Sequence, residues 1–445
     1  TVPTGETPTG RITVTPTVPT GETPTGRITV TPTVPAAATL TDLTPDSWRV
    51  RRVLHPDAAD LADLVDDPHG FVEHTLFRSP LLNRGGARRI ERCSDPGQLW
   101  FDVLGRGTRQ PAFRLVRAGT TLAASVGTRS AGMGNRDLTD VIAPNKVLAE
   151  YRAGATVSLQ GLHHTDWRMA RLANNVALAL DHPVQVNAYL SPPNATGLDL
   201  HFDFHDVLVV QLAGAKRWRV WTPLARATHP VRGKHAVRMP APEELDDPVM
   251  DVELMPGDCL YLPRGTPHAA QTLDTASDHL TVGVVAINWQ RVLRTAIDAE
   301  VAAGRLSESL PARLLEPGSA PLDAPAVGVG QWLARDTIRH WMAREIWRRQ
   351  PATRWMPRDV TPLRHTVPLR LTPGPLLWLT SGAGRATLGL GDRMLDLPDE
   401  AYPFLADLLG RQDGFLAGDV AGLDPGSARV VLQRLMDEGV VVHDG

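Results

Sequence analysis

Between Val184 and Asn288 the chain breaks into eight short apolar runs divided by Pro, Gly and Asp clusters: Gln185–Leu190, Leu198–Phe202, Val207–Leu212, Arg217–Trp221, Val252–Met255, Cys259–Pro263, Ala269–Leu273 and His279–Ile287. Short runs at this close spacing, separated by turn residues, read as strands. They predict a barrel or a double-sheet jelly roll. The interior of such a fold is a natural site for a small ligand.

One of these runs carries chemistry. In His201-Phe202-Asp203 the imidazole and the carboxylate are two residues apart, so on a strand both project to one face with Phe202 on the other. The pattern alone is weak, because His-x-Asp occurs three times: His55-Pro56-Asp57, His164-Thr165-Asp166 and His201-Phe202-Asp203. With 15 His and 49 acidic residues in 445, one or two chance matches are expected. Pro56 is a poor strand-interior residue, and His55 is followed by a helical pattern. His164 opens a run with helical spacing (Trp167, Leu172, Val176, Leu178). Only His201 follows a turn-rich segment, Ser191–Gly197, and leads into a strand run. A third donor, His268, closes the segment Gly257–His268. Two His and one carboxylate on one face of a metal, with the other positions open, are the donor set of non-haem Fe(II) oxygenases.

Composition removes other classes. A net charge of −3 carries no polyelectrolyte signature, so direct nucleic-acid binding is not expected. No apolar run reaches transmembrane length and no secretory signal is visible, which makes the cytoplasm the expected location. The two cysteines, Cys93 and Cys259, form no disulfide framework, and Cys259 reads as a small buried residue of a strand. Arginine is used almost to the exclusion of lysine; only Lys146, Lys216 and Lys234 occur. Lys216, thirteen residues after Asp203, is either a surface turn residue after Ala213-Gly214-Ala215 or a buried ammonium that binds a distal carboxylate. Asn187, between apolar neighbours, needs a hydrogen-bond partner if buried, either structural or a ligand. His205 and Asp206, which immediately follow the motif, either shape substrate binding or face solvent, and the solvent-facing reading is preferred.

Residues 1–16, TVPTGETPTGRITVTP, recur unchanged at 17–32. A Thr/Pro/Gly-rich leader over 1–38 buries too little apolar surface to offset its ordering entropy, and disorder is expected there. Globular composition runs from 39 to 290. Over 291–365, Val292, Ala296, Ile297 and Val301 fit one helix face. Trp332, Ile338, Trp341, Ile346 and Trp347 fit another long helix. The last segment, 366–445, reads as a strand (Val367–Leu371), a helix (Glu400–Leu409), a second helix over Asp424–Gly439 and a strand (Val440–Val442). Asp424 suits the N-cap, Pro425 the first turn and Gly439 the stop. That order is a winged-helix pattern. Asp437 and Glu438 beside Arg429 and Arg434 make it a structural or protein-contact module rather than a DNA reader.

The motifs Asn187–Asn194, His201-Phe202-Asp203, Gln211–Arg219, Gly257-Asp258, Tyr261–Gly265, His268 and His279-Leu280-Thr281 together resemble the JmjC-domain Fe(II)- and 2-oxoglutarate-dependent oxygenases, in particular the ribosomal oxygenase branch. The resemblance covers roughly 60–290. It implies a mixed α+β chain: a double-stranded β-helix (cupin or jelly-roll) core, then a helical dimerisation region and a C-terminal winged helix. It implies Fe(II) on His201, Asp203 and His268. It implies 2-oxoglutarate held by Lys216, with Asn187 lining the same pocket. The implied activity is hydroxylation of a side chain of a protein or peptide, with ribosomal proteins as the expected class, by a homodimer. Two alternatives stand beside it: a tailoring oxygenase acting on a small peptide or natural product, and a non-catalytic JmjC-like protein-binding module. Gly283 departs from relatives that carry Ser there, which bears on how the co-substrate is held.

Overall fold

The computed structural model describes residues 11–13, 30–31, 48–94, 96–224, 239–304, 306, 335–350, 362–374, 376–382, 384–390 and 393–444. It divides into two compact units, Leu54–Ala286 and a second formed by Thr1–Val53 with Ile287–Gly445.

The Leu54–Ala286 unit is built on strands β1 (Leu81–Asn83), β2 (Phe113–Arg117), β3 (Thr156–Leu159), β4 (Val184–Ser191), β5 (Asp206–Val220), β6 (Met250–Leu254), β7 (Cys259–Leu262) and β8 (His268–Val284). Their hydrogen-bonded order is β1-β7-β5-β8-β4-β3-β2, with β6 paired to the far half of β5. Val207, Val209, Trp218, Val220, Leu254, Leu260 and Leu262 close into one buried cluster. Helix Trp167–Leu180 is capped by Asp166, whose carboxylate accepts from the amides of Arg168 and Met169, and it buries Leu172, Val176 and Ala177.

The breaks read from sequence between Val207–Leu212 and Arg217–Trp221, and between Ala269–Leu273 and His279–Ile287, are not turns between strands. Each pair is one long strand, of 15 and 17 residues, that bends without ending. The bends are β-bulges, with register shifts at Gln211/Ala213 and Gly214/Lys216. They change which residues face inward. Val207 and Val209 line the interior before the bulge, Lys216 and Trp218 after it; on β8, His268 and Ala270 do so at one end, His279 and Thr281 at the other. Gly214 makes the bend possible: its φ is +61°, and a Cβ there would lie 1.7 Å from the carbonyl oxygen of Ala276. Gly214→Ala is therefore expected to cost at least about 1–3 kcal/mol from backbone strain alone, seen as a fall in the urea midpoint. An unchanged midpoint would show that the bulge can relax.

Leu198–Phe202 is not a strand. His201 makes only an isolated antiparallel bridge, to His268, because the Pro- and Gly-rich segment before it offers no continuous ladder.

In the second unit, strands Leu377–Gly382, Arg385–Leu390 and Met394–Pro398 form an antiparallel meander that the sequence reading missed; Arg49–Arg51 pairs at one edge and Arg11–Thr13 at the other. Val30–Thr31 pairs with Arg11–Thr13; the rest of the 1–38 leader lies outside the described residues. Helices Tyr402–Gly410 and Pro425–Asp437 follow, the second capped by Asp424, and Val441–His443 pairs with Leu369–Leu371. On helix Trp289–Ala302 the buried face is Val292, Ala296 and Glu300. Ile297 and Val301, read from sequence as part of that face, are exposed. Trp332 lies outside the described residues; Ile338, Trp341 and Ile346 fall on helix Arg335–Arg349.

Candidate metal centre

The structure brings His201, Asp203 and His268 together: one donor atom from each lies within 4.8 Å of the others. The two His segments are fastened by reciprocal backbone bonds, His268 N–H to His201 O at 2.8 Å and His201 N–H to His268 O at 3.2 Å. Each ring is oriented in the same way. His201 Nδ1 lies 2.7 Å from the carbonyl oxygen of Asp199, and His268 Nδ1 lies 2.9 Å from that of Thr266. A carbonyl can only accept, so both Nδ1 atoms carry the proton and both Nε2 lone pairs are left to face a metal. Burial, with the neighbouring His201, lowers the His268 pKa to about 4, so its ring is neutral at physiological pH, as a ligand must be. Donor type, spacing and tautomer all fit a divalent first-row metal such as Fe(II), with room for exogenous ligands.

Lys216 is the other pole of the same cavity. It is 3% exposed, so it is not a surface turn residue. Its Nζ donates to Ser191 Oγ at 3.0 Å, and Thr156 Oγ1 donates to the same oxygen at 3.0 Å. Burial lowers the Lys216 pKa to about 8, with Asp278 acting in the opposite direction. Asp278 is itself raised to about 6 by burial, and its Oδ2 accepts from Trp100 Nε1 at 3.2 Å. Tyr189 and His279 stack with ring centroids 5.1 Å apart, and Trp218 meets His279 edge-on at 5.7 Å. Among the described residues, Trp218 Nε1 and His279 Nδ1 are buried polar atoms with no hydrogen-bond partner. Such atoms in a cavity wall fit an oxygen-rich occupant such as 2-oxoglutarate.

Asn187 stands opposite Thr281 across the β4–β8 ladder, and its Oδ1 accepts from the Gly161 amide at 2.9 Å, so its amide has a structural partner. Thr281 and Tyr189, the latter on the same strand face as Asn187, line the cavity. Sequence reasoning gave no role to Tyr189, Thr156, Ser191, Trp218, Asp278 or His279. The signal lay in the polar residues at alternate positions of otherwise apolar strands. At Gly283 a Cβ would come within 2.7 Å of the His205 ring, so the missing side chain makes room for His205. Asp206 does not face solvent as read from sequence. It is fully buried, because Tyr261 and Arg264 converge on its carboxylate.

Residues 159–292 match the JmjC domain family. Over 140 residues the chain is 34% identical to the bifunctional lysine-specific demethylase and histidyl-hydroxylase NO66 of Drosophila pseudoobscura pseudoobscura, covering 31% of this chain and 14% of that protein. Over 143 residues it is 34% identical to ribosomal oxygenase 1 of Danio rerio, covering 31% of this chain and 25% of that protein. The matched segment is thus a quarter or less of the length of these two relatives. Among solved structures, ycfD of E. coli superposes with a TM-score of 0.53 at 17% identity, over 84% of this chain and 97% of the other, which shows a shared fold. Residues 159–292 are therefore similar to the JmjC domain, and the segment that matches NO66 and ribosomal oxygenase 1 is 34% identical to each.

Proposed function

We propose that the chain is an Fe(II)- and 2-oxoglutarate-dependent oxygenase that hydroxylates a side chain of a protein, with ribosomal proteins as the substrate class. The observation that carries this is a single cavity with two poles: the His201, Asp203 and His268 donors at one, and the buried Lys216 ammonium at the other. The names of the relatives, histidyl-hydroxylase and ribosomal oxygenase, point the same way.

When bound, the metal and 2-oxoglutarate together supply the O₂-dependent oxidation of a C–H bond, releasing succinate and CO₂. The chain's own residues do the rest. The His201 and His268 Nε2 atoms and one Asp203 carboxylate oxygen would hold the metal and leave the remaining positions open. Lys216 and Ser191 would bind the distal carboxylate. Val207, Val209, Leu262 and Ala270 keep the space between the poles apolar, which strengthens each charge–charge contact within it. Burial, then the Asp203 charge, raise the Tyr189 phenol, so it stays a neutral donor. The test is succinate formation from 2-oxoglutarate that requires both Fe(II) and O₂, with a +16 Da change on ribosomal peptides. Succinate formation without any modified protein or peptide would sink the protein-hydroxylase reading and favour a small-molecule substrate.

We further propose that the helical segment dimerises. Trp289, Leu293, Ile297 and Val301 repeat at four-residue intervals along helix Trp289–Ala302, and all are exposed. A stripe of that size on one helix face supports an association surface. Leu293→Glu with Ile297→Glu is expected to shift the sedimentation coefficient to that of a monomer; a monomeric wild type would refute the surface. The C-terminal unit supports a winged helix by its element order. Arg434 and Arg411 are tied to Glu438 and Asp407, which favours a structural or protein-contact role over direct nucleic-acid binding. Among the described residues no helix is long and apolar enough to cross a membrane. The buried, unpaired Cys93 and Cys259 fit the reducing cytoplasm.

A further inference from the structure

The two segments that carry the metal donors, 201–206 and 261–268, are joined by more than their backbone bridge. Asp206, three residues after Asp203, receives the Tyr261 hydroxyl on Oδ1 at 2.9 Å, the Arg264 amide on the same oxygen at 3.2 Å, and Arg264 Nη1 on Oδ2 at 3.0 Å. The carboxylate is fully buried, and the Arg264 side chain is 15% exposed. Phe77 adds a third segment: its amide donates to the Tyr261 hydroxyl at 2.8 Å, and its ring lies 5.0 Å beneath the Arg264 guanidinium.

The consequence lies in the order of the donors. The Arg264 amide holds the Asp206 carboxylate, and the next amide, Gly265 N–H, holds the Asp203 carbonyl at 2.8 Å. Two successive amides of the turn before His268 therefore grip the segment that carries Asp203, one through a side chain and one through the backbone. If the first grip is lost, the backbone bonds, Gly265 N–H to Asp203 O and the His201–His268 bridge, stay in place, but the side-chain anchor three residues after Asp203 is gone. A metal site needs its donors held to within a few tenths of an ångström, and groups outside the coordination sphere supply that constraint.

We infer that Asp206, with Arg264 and Tyr261, is a positioning group for the metal centre, setting the distance between the Asp203 and His268 donors. The inference rests on the reading of His201, Asp203 and His268 as metal ligands. A merely structural buried ion pair would stabilise the fold without altering metal affinity, and the two roles separate experimentally.

The experiment is Co(II) titration of the metal-free full chain well below its unfolding midpoint, following the visible absorption of bound Co(II), with thermal unfolding of each metal-free variant alongside. Asp206→Asn and Tyr261→Phe are compared with Asp258→Asn, which breaks the pair between a buried carboxylate outside the metal-donor set and the exposed Arg84. Asp206→Asn is expected to weaken Co(II) binding about tenfold or more and to change the Co(II) band shape. Tyr261→Phe should act in the same direction but less strongly, and Arg264→Lys should retain more affinity than Arg264→Met. Asp258→Asn should lower the unfolding midpoint and leave Co(II) affinity unchanged. Folded Asp206→Asn that binds Co(II) as wild type does would overturn the positioning role and leave the metal centre standing. If Asp206→Asn does not fold, Tyr261→Phe decides by the same criterion. If the wild type binds no Co(II), the metal centre itself falls, and this inference with it.

Discussion

Alanine at His201 or Asp203 is expected to lower Fe(II)-dependent conversion of 2-oxoglutarate to succinate by on the order of 10²–10³-fold, since bound metal supplies several kcal/mol that the protein cannot replace. The chain offers three donors at this site, and among the described residues no other His, Cys, Asp or Glu group of three comes together. Two donors hold a labile metal weakly and in no fixed geometry. The substitutions should spare the fold. His201 and Asp203 are only partly buried, and the bonds that fasten their segments, His201 to His268 and Gly265 N–H to Asp203 O, belong to the backbone. Turnover is measured at saturating Fe(II), alongside circular dichroism. An Asp203→Ala enzyme that keeps more than about a tenth of wild-type turnover would remove Asp203 from the ligand set.

Lys216→Met is expected to weaken 2-oxoglutarate binding by at least about 30-fold, because truncating one member of a buried charge pair costs roughly 2–5 kcal/mol. The effect should appear in the KM for 2-oxoglutarate more than in metal affinity, since Lys216 lies at the opposite pole of the cavity. Its pH dependence has a defined sign. Burial lowers the Lys216 pKa to about 8, so the free enzyme loses the ammonium as pH rises through that value, and 2-oxoglutarate binding weakens on the alkaline side. A carboxylate bound beside the amine favours the charged form, so binding above pH 8 should be accompanied by proton uptake. Titration calorimetry in buffers of different ionisation enthalpy counts that proton. A KM that stays flat across this range in wild type, or is unchanged in Lys216→Met, would place the co-substrate carboxylate elsewhere.

The centre was legible in the sequence because its chemistry is local. His201-Phe202-Asp203 and the His268 segment are recognisable from composition and turn signals, although His201 turned out to sit on a single bridge rather than a strand. The strand runs were legible too, apart from their continuity. A Gly between small residues reads as a turn, and only the ladder on both sides reveals a bulge in one long strand. Asp206 was misread for a related reason. A charged residue beside a metal motif looks solvated until Tyr261 and Arg264, 55 and 58 residues away, arrive at its carboxylate. On helix Trp289–Ala302, periodicity identified the helix but not which of its flanks is covered. Val292 and Ala296 are buried and Ile297 and Val301 are not, and nothing in a single sequence distinguishes apolar residues that face the core from those that face a partner.

The bulge at Gly214 gives β5 two reading frames. Odd-numbered side chains enter the cavity on one side of it and even-numbered ones on the other. Unbroken alternation from Val209 would carry Arg217 inward and turn Lys216 out; with the bulge, Lys216 enters the cavity and Arg217 stays exposed, paired with Asp251. The identity of the cation in this pocket is thus set by an extra residue in the strand as much as by the side chain at position 216.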